Sequence, residues 1–292
     1  MGLFRTIRRL ESSPAPLIGL VIVVAFYGWS LVEGILQLAG FLTNAPSLGW
    51  ILLQSNPFTP FPSNSLLPPS FAHIMGTDDL GRDILVRILY AAPTDALVST
   101  VVVGGGVLVG SLVGIPAGYF GGTTEEVNMR FTDLFLAFPA LILAVAIEAT
   151  FGRQLVFAIL ALVVVWWPSY ARVFRGEALR IKNLRFIDAA LLSGLSSRRI
   201  MTRHLIPSSL NTVLSYATID LGNSILVYSI LSFLGLGVPA PAPEWGAMTA
   251  QGLSYFPLWW WYSLLPGAVI TVVVMGAALL GDGLRDILSE GG

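Results

Sequence analysis

The chain has 292 residues, 55% of them hydrophobic and 11% charged, with a formal net charge of −1 and a mean hydropathy of +0.77. A soluble domain carries about 25% charged residues, so this composition excludes a water-soluble globule and makes lipid the main solvent. The near-zero net charge supplies no global field for nucleic acid, and the lack of cysteine excludes disulfides, thiolate metal sites and cysteine nucleophiles while leaving the redox compartment open.

A helix needs about 20 apolar residues to cross the hydrocarbon core. That requirement predicts an all-α integral membrane protein with six transmembrane helices, at 17–40, 92–118, 131–150, 154–172, 208–234 and 262–283. Residues 1–16 form a short N-terminal segment, and 17–292 a single transmembrane domain. The apolar run after Arg8-Arg9 is too long for the core of a cleavable signal, so it reads as an anchor. The loop 41–91 is rich in proline and asparagine, and its last part, Asp79 to Ala91, is expected to be a surface helix leading into the second span. His73, Asp78, Asp79, Arg82 and Asp83 would cap that helix and pair locally, Asp79 with Arg82 or Asp83 with Arg87. Contact with an external protein is the other reading. In the second span Gly106, Gly110, Gly114 and Gly118 recur every four residues, which lets another helix approach closely. That helix belongs either to this chain or to a second membrane subunit. Phe151-Gly152-Arg153 is the only break between spans three and four, so these form a helical hairpin. The loop 235–261 carries Pro239, Pro241, Pro243 and Trp259-Trp260-Trp261, and tryptophan at a span edge fits an interfacial belt.

Thirteen of the sixteen Lys and Arg residues fall on the side that holds the N-terminus, the 119–130 loop, the 172–207 segment and the C-terminus. Only Arg82, Arg87 and Arg153 fall on the other. The positive-inside rule therefore places both termini and the 173–207 loop in the cytoplasm. Within the membrane Asp220 stands out as the acidic residue at depth, with Asn223 one turn away. A charge there costs about 3 kcal/mol on insertion scales, so it faces either a wet path or a hydrogen bond from a neighbouring helix. Glu33 and Glu148 lie near the outer ends of their spans and are expected to reach interfacial water.

Several chemistries are missing. Lys182 is the one lysine and no glycine-rich loop precedes it, so the chain has no P-loop. His73 and His204 lie in loops on opposite sides of the membrane and cannot share a metal. There is no G-x-S-x-G nucleophile elbow.

The segment Asp188-Ala189-Ala190-x3-Gly194-x9-His204-Leu205-Ile206-Pro207 resembles the "EAA" loop of ABC-importer membrane subunits, E-A-A-x3-G-x9-I-x-L-P. Asp replaces Glu, His the first Ile, and Ile the Leu; His at that position is common in the dipeptide/oligopeptide/nickel branch. Four further blocks resemble the C-type permease subunit of that branch. They are His73-Ile74-Met75-Gly76-Thr77-Asp78-Asp79-Leu80-Gly81-Arg82-Asp83; Gly118-Tyr119-Phe120-Gly121-Gly122 with Met129-Arg130, Asp133 and Pro139; Leu231-Ser232-Phe233-Leu234-Gly235-Leu236-Gly237 with Pro241, Trp245 and Gly246; and Gly281-Asp282-Gly283-Leu284-Arg285-Asp286. The likeness runs in order from about 73 to 288.

The resemblance implies a type I ABC-importer permease architecture in a prokaryotic cell membrane. A homologous second permease subunit would complete the pathway, two cytoplasmic ATP-binding subunits would hold ATP and Mg, and an extracytoplasmic solute-binding protein would deliver cargo. No cofactor would be bound by this chain, and it would not itself be an enzyme. Asp188, Ala189, Ala190, Gly194, Arg198, Arg199, Arg203, His204 and Pro207 would couple to the ATPases. Residues 185–206 are expected to form two short helices bent near Gly194, with Ser196 or Ser197 capping the second. Ile187, Ala190 and Leu191 would form the docking face, and the arginines would pair with ATPase carboxylates or anchor to lipid headgroups. Asp220, Asn223 and Tyr228 would line the pathway. The family often has glutamate where Tyr228 stands, so the lining is expected to be less acidic there. Peptides are the expected cargo, oligosaccharides or nickel the alternatives. A stand-alone secondary transporter is a rival reading, but no clear repeat between the halves supports it; a membrane scaffold is a third.

Overall fold

The computed structural model describes residues 14–289, so the basic residues Arg5, Arg8 and Arg9 and most of the predicted 1–16 segment lie outside the described residues. The described chain is helical: α1 (Pro14–Leu42), α2 (Ile84–Phe120), α3 (Gly122–Leu136), α4 (Ala140–Phe151), α5 (Leu155–Ile181), α6 (Arg185–Leu192), α7 (Ser197–Ile200), α8 (Ile206–Phe233), α9 (Trp245–Leu253) and α10 (Trp260–Ser289).

Five helices are long and apolar enough to cross a membrane, and a sixth crossing exists only as the broken pair α3 and α4, bent by 79°. This corrects the predicted third span. α4 has 12 residues, about 18 Å at 1.5 Å per residue, against a hydrocarbon core of about 30 Å. Pro139 causes the break, because the residue before a proline is driven out of the helical region. α3 begins with Thr and Glu residues and stays at the arginine-rich end.

The surface helix predicted over Asp79–Ala91 is also redrawn. Helix begins at Ile84 and runs unbroken into the second span, 37 residues in all. Asp83 is its N-cap, accepting the Val86 N–H at 3.0 Å. At about 55 Å, α2 overshoots the bilayer, and its first turns carry the outer loops.

The glycine row settles where α2 packs. Gly106, Gly110, Gly114 and Gly118 lie against Tyr170, Ala171, Phe174 and Arg175 of α5; a Cβ on Gly118 would sit 2.6 Å from the Arg175 carbonyl oxygen. The close approach is therefore within the chain. Gly222 of α8 and Gly276 of α10 make similar close contacts with α10 and α1. An outer core forms around Ile84, Ile88, Trp245, Met248 and Tyr262. A core at the arginine-rich end gathers Phe174, Ala178, Ile181, Ile187, Ile200 and Leu205.

Candidate functional site

The polar segment after α5 is a built structure. Leu184 leads into α6, which ends at Ser193, and Gly194 adopts φ +76°. Its N–H donates to the Leu191 carbonyl, and the Leu195 N–H reaches back to Ala190 O at 3.2 Å. This left-handed exit satisfies the last carbonyls of α6, and glycine takes it without steric cost. The bend expected at Gly194 is there. The second expected helix is not separate: α7, a π turn over Met201–Leu205 and α8 follow without a gap. Ser196 takes the N-cap position of α7 but makes no side-chain cap bond. Pro207 stands in the first turn of α8. The π turn before it re-registers a backbone that lacks the proline's donor.

The expected docking face must be corrected. Ile187 and Ala190 are buried, at 1% and 8% exposure, against the chain's own core. They fasten α6 beneath α5 and α8. The outward face instead presents Phe186, Asp188, Ala189, Leu191 and Leu192, with Leu192 90% exposed. Arg198, Arg199 and Arg203 are exposed and make no ion pair among the described residues. His204 is half-buried, its ring 6.0 Å from that of Phe186. The preceding basic residues are committed: Arg172 to Asp133 at 2.8 Å, Arg175 to Glu125, Arg180 to Glu177 at 2.7 Å, and Lys182 to the Gly118 carbonyl at 2.8 Å.

Asp220 is 6% exposed, with Oδ2 accepting the Trp166 indole N–H at 3.0 Å and Oδ1 the Asn223 amide at 3.2 Å. The hydrogen bond from a neighbouring helix is therefore present. Thr212, Ser215, Tyr216 and Asn211 of α8 line a cavity of about 400 Å³ with Arg285 of α10, toward the arginine-rich end from Asp220. Tyr228 has no accessible surface. Glu244, Asp95 and Glu148 all act on it, but each is fully buried, so they say nothing of how acidic the pathway lining is.

The sequence reading took Asp220 for the one acid at depth. Asp95 of α2, Glu33 of α1 and Glu148 of α4 are all fully buried, as is Glu244 ahead of α9. Glu33 and Glu148 do not reach interfacial water. Glu33 accepts from Gln37 at 3.2 Å, and Glu148 accepts the Gly237 N–H. Glu244 had a legible signal: an acid directly before Trp245, three residues ahead of the Ala247 N–H that it caps at 2.8 Å. Asp95 had none, since it stands at a span edge where exposure is the ordinary expectation.

The outer loop pairs differently than expected. Asp78, not Asp79, holds Arg82 at 2.7 Å and lies 3.7 Å from Arg87. Asp83 pairs with His73 at 2.9 Å, and Asp79 accepts the Tyr262 hydroxyl at 2.8 Å.

Residues 106–291 match the family described as "Binding-protein-dependent transport system inner membrane component". The chain is 40% identical over 223 residues to the "Probable D,D-dipeptide transport system permease protein DdpC" of Escherichia coli (strain K12), covering 76% of this chain and 75% of that protein. It is 36% identical over 281 residues to the "Dipeptide transport system permease protein DppC" of Alkalihalophilus pseudofirmus, covering 96% and 87%. Its fold resembles a solved structure described as "Inward facing conformations of the MetNI methionine ABC transporter", with a TM-score of 0.57 at 18% identity, over 70% of this chain and 97% of that one.

Proposed function

The chain belongs to the family of binding-protein-dependent transport system inner membrane components, and from that premise we propose that it forms half of a translocation pathway for di- or oligopeptides. It is a membrane permease of an ATP-driven importer, with ATP-binding and solute-binding partners, and it does not hydrolyse ATP itself. A second, homologous permease would close the pathway. The peptide cargo rests on the relatives, whose names specify dipeptide and D,D-dipeptide transport.

The observation that carries the coupling role is the contrast within residues 185–207. One face of α6 is bolted to the chain's own helices through Ile187 and Ala190, while Phe186, Ala189 and Leu192 stand out beside Asp188 and three exposed arginines that make no ion pair among the described residues. A rigidly seated helix with an apolar, basic-flanked outer face transmits force from a soluble partner to α5 and α8. ATP-driven closure of that partner would then bias the helices between two arrangements. Asp220 and Asn223, above the cavity at the arginine-rich end, are the polar positions a passing substrate would meet. Tyr228 would act one layer behind them, since it is buried.

The test is the reconstituted importer carrying Leu192→Asp with Ala189→Trp, both on the outer face. ATP hydrolysis should lose its response to loaded binding protein, and uptake should fall at least tenfold, with permease content unchanged. Normal uptake would reject this docking face. Calorimetry of the partner binding protein against peptide, sugar and nickel panels tests the cargo; a protein that binds only sugar or nickel would overturn the peptide reading and leave the coupling intact.

A further inference from the structure

The cavity of about 400 Å³ at the arginine-rich end is walled by three helices: α5 gives Val173, α8 gives Asn211 to Ile219, and α10 gives Arg285 and Leu288. Just above it α8 and α10 are seated together. A Cβ on Gly222 would lie 2.9 Å from the Ala277 Cβ, and Gly281 lies against Ile219. The cavity opens beyond that seam, and its wall is amphipathic. Val173, Ile219 and Leu288 are apolar, and no carboxylate is among the lining residues. Two of the polar groups are committed: the Thr212 hydroxyl donates to Glu177 at 3.1 Å, and the Ser215 hydroxyl to the Asn211 carbonyl at 3.2 Å. The Asn211 amide and the Arg285 guanidinium make no hydrogen bond or ion pair among the described residues. The acids around the cavity do not compete for them. Glu177 also holds Arg180 at 2.7 Å, and Asp220, one turn deeper than Tyr216, is held by Trp166 and Asn223. Asp282 and Asp286 share α10 with Arg285 but do not line the cavity.

The depth of the cavity follows from α10. That helix starts at Trp260, within the tryptophan run that marks the outer interface. Arg285 stands 25 residues further on, about 37 Å at 1.5 Å per residue, against a hydrocarbon core of about 30 Å. Its guanidinium is therefore at the level of the lipid headgroups on the arginine-rich side.

We propose that this cavity holds one anionic phospholipid by its phosphate, with the Arg285 guanidinium and the Asn211 amide as donors and with Val173, Ile219 and Leu288 against the glycerol and the upper acyl chain. A planar guanidinium gives two parallel hydrogen bonds to phosphate oxygens, and a basic pocket between membrane helices at headgroup depth is where such a lipid is held. The apolar wall argues for a lipid over a small soluble anion, which would leave those three side chains facing water. The lack of a lining carboxylate argues for an anionic headgroup over a zwitterionic one, whose cation would find no counter-charge in the wall. Donors from both α8 and α10 on one phosphate would tie the two helices together below the seam that Gly222 and Gly281 make.

Native mass spectrometry of the full chain, released from neutral detergent containing equal phosphatidylglycerol and phosphatidylcholine, tests this without partners or cargo, so its failure would leave the import reading where it stands. One phosphatidylglycerol should stay bound in preference to phosphatidylcholine. Arg285→Gln should lower its occupancy about fivefold, Asn211→Leu should lower it less, and Arg285→Lys should keep part of it. Arg180→Gln is the control, because it removes an exposed cation of the same end that Glu177 already holds; its lipid occupancy should match the wild type. The melting temperature should rise with added phosphatidylglycerol in the wild type and not in Arg285→Gln.

Equal retention of the two lipids overturns the proposal, as does equal phosphatidylglycerol on the wild type and on folded Arg285→Gln and Asn211→Leu. A loss of the same size in Arg180→Gln also overturns it, since the attraction would then be a general surface charge. Glycerol phosphate and a dipeptide are the soluble probes. A melt raised through Arg285 by either one, and not by phosphatidylglycerol, would give the cavity to a free anion and overturn the lipid.

Discussion

The two polar ends of this molecule use charge in opposite ways. At the outer end the ions are consumed internally: Asp78 holds Arg82 and approaches Arg87, Asp83 pairs with His73, and Asp79 is held by Tyr262. At the arginine-rich end the residues that lead into the insert are paired, but Arg198, Arg199 and Arg203 are left exposed. A buried charge must find its partner within the fold. An exposed basic row on a fixed helix has its partner outside. The difference separates charges that build the permease from charges left exposed, which the proposed coupling role would use.

The comparison breaks first at Asp78. Removing that carboxylate leaves the buried guanidinium of Arg82, 6% exposed, without its partner. Asp78→Ala should cost about 3–5 kcal/mol, read as a lower melting temperature and a lower yield of monodisperse protein. A loss below about 1 kcal/mol would show that the outer ion pairs are exchangeable with solvent, as surface pairs are.

Next comes the α2–α5 seam that joins the two ends. Leucine at Gly118 would put its Cβ 2.6 Å from the Arg175 carbonyl oxygen, a backbone atom that cannot swing aside. Gly118→Leu should destabilise by about 1–3 kcal/mol, the ordinary cost of overpacking, with the same melting assay as readout. Gly104→Leu on the same helix is its control, because a Cβ there meets nothing within 4 Å.

The long apolar runs made the spans legible, since length and hydropathy alone decide whether a helix can cross lipid. The glycine row was legible as a close-packing face, though only the structure says that α5 fills it. The third span misled because its residues are apolar on average while Pro139 interrupts them; composition measures solvent preference and not continuity. The polar segment 185–207 was legible through Gly194, whose position fixed the bend. Its docking face was not, because Ile187, Ala190 and Leu191 mark an apolar stripe without saying what covers it. Here Ile187 and Ala190 turned inward to the chain's own core, while Leu191 stayed on the exposed face.

Gly194 gives a smaller and cleaner effect. Its φ of +76° is in the left-handed region, and an added Cβ would meet nothing within 4 Å. Any penalty is therefore conformational. Gly194→Val should cost about 1–2 kcal/mol and Gly194→Asn less, because asparagine tolerates that region. Hydrogen exchange over 185–200 in the full chain should show faster opening of α6 for valine than for asparagine. Equal protection would mean that the turn does not hold α6 in place.

The smallest effect on stability should come from the residues with the largest effect on coupling. Arg198→Gln, Arg199→Gln and Arg203→Gln remove exposed charges that make no ion pair in the described chain, so each should change stability by less than about 0.5 kcal/mol. In the assembled importer the triple variant should nonetheless lose most of its stimulated ATP hydrolysis, because a desolvated charge pair at an interface matters far more than a solvated one. Lipid headgroups are the competing partner for these arginines, and the two readings diverge with membrane composition. If headgroups hold the arginines, replacing anionic with neutral lipid should reproduce the triple variant in the wild type. If the ATPase holds them, the wild type should keep its activity in neutral lipid and the variant should stay inactive in both. That second outcome would make the unpaired end of the molecule the one that receives work.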